Sequence, residues 1–168
     1  MKIEFWLPPP ITCRDLNIFM RALTAYNVRW LRAHPRTPSM RASGVKYARQ
    51  NVGCERFLPI PYVLAAGGGD CDQLAGWRCA ELRVRHGIAA NPEVIQISAR
   101  LFHVFVRFPN GLAEDVSAHL GMMIPAHLAA KGRAKLRRLH AARTRRRSNV
   151  LASHSPNPVR GLETRWWW

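Results

Sequence analysis

Three residue types in a suitable order can carry nucleophilic chemistry in this chain: Cys71, then His103, then Asp115. Cys71 follows Gly67-Gly68-Gly69-Asp70 and opens a stretch patterned as a helix. The thiolate is the useful nucleophile. Unpaired N–H groups and the positive dipole end of a helix lower a thiol's pKa, so a first-turn cysteine is placed to react. Glycines let backbone approach a substrate closely, and the backbone N–H groups of Gly69 and Cys71 are candidate donors to an oxyanion. Such a thiol needs a base within hydrogen-bond reach, itself oriented by a third group. The competing explanation is packing, because free cysteine is among the most often buried residue types; Cys13, Cys54 and Cys79 are read that way.

Whether the three can meet depends on the elements that carry them. Helical signals run from about Asp70 to His86, closed by Gly87, with Trp77, Ala80 and Val84 at core spacing. Val94–Ser98 and Phe102–Phe108 read as strands, the second setting His103, Phe105 and Arg107 on one face and Val104, Val106 and Phe108 on the other. Pro109-Asn110-Gly111 suits a three-residue turn into a third strand, Leu112–Val116. Paired residue numbers then sum to 220, so Asp115 faces Phe105 and lies diagonally from His103 on the same face. A two-residue Asn-Gly turn would shift the sum by one and send the carboxylate to the opposite face. In the preferred register Glu114 points away and is read as a solvated acid.

Upstream, Thr12 and Asp15 form a helix-start box for residues 13–33, with a stripe through Leu16, Phe19, Met20, Leu23, Tyr26, Trp30 and Leu31, ended by Pro35. Ile60–Ala66 is a short helix with proline in its first turn. Residues 35–58 carry no firm pattern. Helices followed by a small antiparallel sheet argue for an α+β fold.

The 168 residues make one domain's worth of chain, with 26 Lys+Arg against 10 Asp+Glu. The excess is uneven: residues 131–147, KGRAKLRRLHAARTRRR, hold nine basic residues and no acid. The expected division is a folded domain over 1–125 and a basic tail over 126–168, partly helical to about 147 and disordered from Ser148. Arg137, Arg138, Arg143, Arg145, Arg146 and Arg147 are candidates for neutralising nucleic-acid phosphates. No aromatic residue interleaves with them, so base stacking has no support. Trp166-Trp167-Trp168 would favour a protein partner or plain stickiness. The N-terminus lacks the unbroken apolar stretch of a signal peptide, and no stretch approaches 18 apolar residues, so neither secretion nor a membrane span is expected. The cysteines lack paired zinc-ligand spacing, and Asp70 and Asp72 are ordinary dipole partners in a first turn. No metal or cofactor is expected.

The segments GGGDCDQLAGWRCAEL, FHVFVRF and EDVSAHLGM, in that order, resemble the transglutaminase-like cysteine-protease superfamily. More narrowly, they resemble a group of tailed-phage and prophage proteins, the likeness extending over roughly residues 34–123. Gln73 stands where an acidic residue is usual, and Val116 where proline follows the aspartate. The resemblance implies a papain-like core, with Cys71 as nucleophile, His103 as base and Asp115 as orienting acid. It also implies hydrolysis of peptide or amide bonds, with crosslinking or deamidation and a non-catalytic phage structural or assembly module as the alternatives. The partners expected are a peptide or protein substrate and phage structural proteins, in a bacterial cytoplasm or on a virion.

Overall fold

A computed structural model describes residues 11–50, 56–99, 101–123 and 125–153. Helix α1 (Cys13–Ala33) begins where Thr12 accepts from the Asp15 N–H and Asp15 answers to the Thr12 N–H, so two orphan donors are satisfied reciprocally. Its buried stripe, Leu16, Met20, Leu23 and Leu31, also contains two polar residues, Thr24 and Asn27. Thr24 bonds back to the Met20 carbonyl, while Asn27 accepts the Ile60 N–H at 3.1 Å and so ties α2 (Ile60–Ala66) to α1. Helix α3 (Cys71–His86) packs along α1, with Gly76 set against Leu23. Trp77, Leu74, Cys79 and Ala80 carry α3 into the core.

The segment without a sequence pattern supplies β1 (Lys46–Tyr47), which pairs in parallel with β2 (Gly68–Gly69). A Cβ on Gly68 would stand 2.8 Å from the Lys46 carbonyl oxygen, so glycine there lets the two strands pair.

Strands β3 (Asn91–Ser98), β4 (Leu101–Arg107) and β5 (Ala113–Glu114) form an antiparallel sheet in the order β3-β4-β5, making the molecule α+β. Pro92 is tolerated because β3 is an edge strand. The turn before β5 is the three-residue one: Val106 faces Glu114, Arg107 faces Ala113, Gly111 takes φ +89°, and its N–H bonds the Phe108 carbonyl. The third strand is shorter than Leu112–Val116. Asp115 accepts the Ala118 N–H and caps a short helix, α4 (Val116–His119), so the chain turns away from the sheet.

Helix α5 (Ala126–Ser153) runs past residue 147 without a break. Gly132 packs near Ile95 and Ile97, Lys135 donates to the Gln96 carbonyl at 2.8 Å, and Arg143 pairs with Glu93 at 2.9 Å. These contacts place α5 on the sheet face that also bears His103 and Phe105, while α1 and α3 cover the face bearing Val94, Val104 and Val106. The terminal tryptophans and Cys54 lie outside the described residues.

Candidate functional site

His103 Nε2 lies 3.0 Å from Asp115 Oδ2. The diagonal register puts them there: residue 105 would face 115, and His103 is two residues away on the same face. The imidazole is 3% exposed and set edge-on to Phe105 at 4.6 Å between centroids. The two oxygens of Asp115 divide their work, Oδ2 to the imidazole and Oδ1 to the Ala118 N–H at 3.2 Å. Burial pushes this carboxyl up, but the hydrogen bond and charge of His103, with the Ala118 N–H, outweigh it and hold the group below its ordinary range. Because Nε2 is turned to the carboxylate, Nδ1 is the nitrogen left for a reacting proton.

Cys71 is the first residue of α3 and lines the same cleft as His103, a cavity of about 420 Å³. Leu16, Met20, Phe57, Phe102 and Met122 make its apolar walls; Tyr47, Arg49, Asp70 and Asp72 bring polar groups to it. Pro125 and Leu128, at the start of α5, complete one side. The Val104 backbone amide lies beside the Cys71 sulfur. That amide is available because β5 stops early: continued in the same register, Val116 would have stood opposite Val104 and occupied the strand edge. The aspartate cap that ends the strand thus clears the place where sulfur meets sheet.

The thiol does not behave as the helix dipole alone predicts. Burial raises its pKa well above the ordinary value, and the Asp72 and Asp70 carboxylates raise it further, against the opposing Val104 N–H. The acids that complement the dipole also repel a thiolate and so oppose its effect on the thiol.

The two expected oxyanion donors are engaged elsewhere. The Cys71 N–H donates to Asp70 Oδ1 at 2.6 Å. Gly69 is held in the parallel ladder, whose register turns its N–H toward the Lys46 carbonyl while its own carbonyl accepts from Ala48.

The structure also accounts for Gln73. Its Oε1 accepts the Asp70 N–H at 3.2 Å, closing a capping box, while Nε2 donates to the Arg56 carbonyl at 2.6 Å. A glutamate could accept but not donate. Gln50 binds the same carbonyl through Nε2 and takes the Arg56 N–H on Oε1. Its own N–H donates to Asp70 Oδ2, so the cleft rim is tied to the start of α3.

Behind the site, Glu114 is not solvated: its side chain is 10% exposed, and it pairs with Arg41 at 3.0 Å and with Arg78 at 3.2 Å. Arg78 also holds Glu81, which is 2% exposed, at 3.0 Å. Sequence spacing within α3 favours the Arg78–Glu81 contact, but nothing local signals the link to Glu114.

The six arginines proposed for phosphate contact, Arg137, Arg138, Arg143, Arg145, Arg146 and Arg147, all fall on α5, with Arg143 bound to Glu93. Among the described residues no cluster of three His, Cys, Asp or Glu is placed to hold a metal ion, and no helix is long and apolar enough to cross a membrane. Against known proteins, the chain matches no family model, no curated protein and no solved structure.

Alkaline stability follows from the thiols. Burial pushes Cys79 up from 9.0 to about 12, and burial with Asp70 and Cys71 pushes Tyr47 upward as well. Folded-state values above unfolded ones give stability that is complete below the unfolded pKa and is lost as pH rises through the folded one. Between about pH 9 and 12 the Cys79 thiol alone costs about 1.4 kcal/mol per pH unit. Melting temperature should therefore fall steadily above pH 9, and Cys79→Ala should flatten that fall while lowering stability at pH 7. Parallel wild-type and variant curves from pH 8 to 10.5 would remove Cys79 as a cause.

Proposed function

We propose that the protein is a thiol-dependent acyl-transfer enzyme of the transglutaminase-like, papain-fold class, hydrolysing peptide or amide bonds. A phage-derived member of that class is the particular assignment the three ordered segments favour. The observation that supports the reading best is the His103–Asp115 contact at 3.0 Å, on the cleft that also receives Cys71.

In this reading Cys71 Sγ attacks the amide carbon as His103 Nδ1 takes the thiol proton. Asp115 holds the Nε2–H and stabilises the imidazolium that forms. The C–N bond breaks as the imidazolium returns the proton to the leaving amine, giving a thioester. Water, deprotonated by the same nitrogen, then releases the acid and restores the thiol. A lysine amine in place of water gives crosslinking. A thiol whose pKa is raised by burial and by Asp72 and Asp70 fits base-assisted attack.

That same raised thiol supports the second reading, a phage structural or assembly module retaining the fold. A peptidyl electrophile that fills the cleft separates the two. At pH 7.5 it should modify Cys71 at least about 100-fold faster than Cys13, Cys54 or Cys79, with Cys71→Ala and His103→Ala both abolishing the fast phase. Equal, slow modification of all four cysteines would leave the module.

A further inference from the structure

We propose that the outward surface of α5 is a docking surface for the phosphate backbone of duplex nucleic acid, independent of base sequence. This role stands apart from the chemistry at Cys71.

A densely cationic helix surface needs charge pairs along itself or a partner across it. α5 has no acidic residue with which to build such pairs. Instead it repeats like charges four residues apart, at Lys131/Lys135 and Arg133/Arg137, an arrangement that weakens an isolated helix. Docking on the sheet accounts for one side only, through Gly132, Lys135 and Arg143. At 100° per residue, Arg137, Arg138 and Arg145 project away from that side. Beyond Arg143 the helix leaves the body, and Thr144, Arg145, Arg146, Ser148 and Asn149 are exposed whichever way they point.

None of Arg137, Arg138, Arg145 and Arg146 has a carboxylate partner among the described residues. Arg138 and Arg145 lie seven residues apart, about 10 Å along the axis, on the scale of a duplex groove. Ala141 and Ala142 between them leave room for a backbone to approach. The helix holds no Phe, Tyr or Trp to stack on unpaired bases, which favours a duplex over a single strand. Its outward surface also lacks large apolar residues that would enter a bilayer.

The test measures anisotropy of a labelled 24-base-pair duplex with the full chain between 50 and 200 mM salt. Wild type should show a log–log salt slope of about −4 or steeper. Replacing Arg137, Arg138, Arg145 and Arg146 together by Ala should weaken binding at least about 100-fold and flatten the slope by about 3. Alanine is the best helix former, so the fold should survive, with circular dichroism as the check. A charge-matched variant with Arg14, Arg21, Arg29 and Arg32 on α1 replaced by Ala should keep its affinity. Equal loss in both variants, a flat wild-type slope, tighter binding of single strands, or capture by phosphatidylserine vesicles without duplex binding would each overturn the proposal. Duplex addition should also raise the helical signal of wild type, since phosphates relieve the like-charge repulsion along α5.

Discussion

Asp115→Asn should lower kcat on any amide substrate of Cys71 by about 10² to 10⁴, with the fold intact. The size of the effect comes from the divided carboxylate. Oδ1 already accepts the Ala118 N–H, so an asparagine oxygen takes that position and caps α4 nearly as well. Its NH2 group then faces His103 Nε2 and makes that nitrogen an acceptor. The imidazole proton moves to Nδ1, the atom that receives the thiol proton in the proposed mechanism, so that base would be lost by tautomer rather than by position. Asp115→Ala removes the cap as well and should cost about 1 kcal/mol of stability in addition. Melting temperatures beside kcat and KM for the two variants check the division. Wild-type turnover by Asp115→Asn would take Asp115 out of the mechanism.

Arg78→Ala should destabilise the protein by about 3 kcal/mol, well beyond what loss of an exposed ion pair costs. Glu81 is almost wholly buried and would keep only the longer Arg85 contact at 3.4 Å and the Met40 N–H. Removing one member of a buried pair leaves the other charge with its desolvation cost uncompensated. Adding Glu81→Gln to Arg78→Ala should recover part of the loss, since the stranded charge goes with it. Chemical denaturation of the single and double variants measures both effects. The change also reaches the site. Arg78 belongs to the helix that begins at Cys71, and Glu114 adjoins Asp115, so their ion pair ties that helix to the chain beside the carboxylate.

The parts of this structure that were legible in the sequence are those fixed by short-range rules. Thr12 with Asp15 and Gly87 mark helix ends because capping depends on residues within one turn. Pro109-Asn110-Gly111 sets the strand register because turn geometry allows few connections, and the His103–Asp115 alignment follows from that register. What stayed hidden depends on distant chain. The β1–β2 pair is two residues long and has no period to read. Asp115 was read as a strand residue, but its side chain accepts the Ala118 N–H and caps a helix that begins at Val116. The pKa of Cys71 turned on burial and on two neighbouring carboxylates, which outweigh the dipole inferred from position alone. Glu114 looked solvated until Arg78 and Arg41, 36 and 73 residues away, were brought to it.

The seating of α5 on β3 has a practical consequence for how the chain is divided. Ile95, Phe105 and the His103 imidazole share the sheet face on which that helix rests, and Leu128 closes one side of the cavity. A version trimmed ahead of residue 126 would lose its roof along with its cationic arm. Water would reach the imidazole, and apolar side chains would be left bare. Inactivity in such a fragment would then report a flooded site, so the arm's own contribution has to be measured by point changes on its outer side.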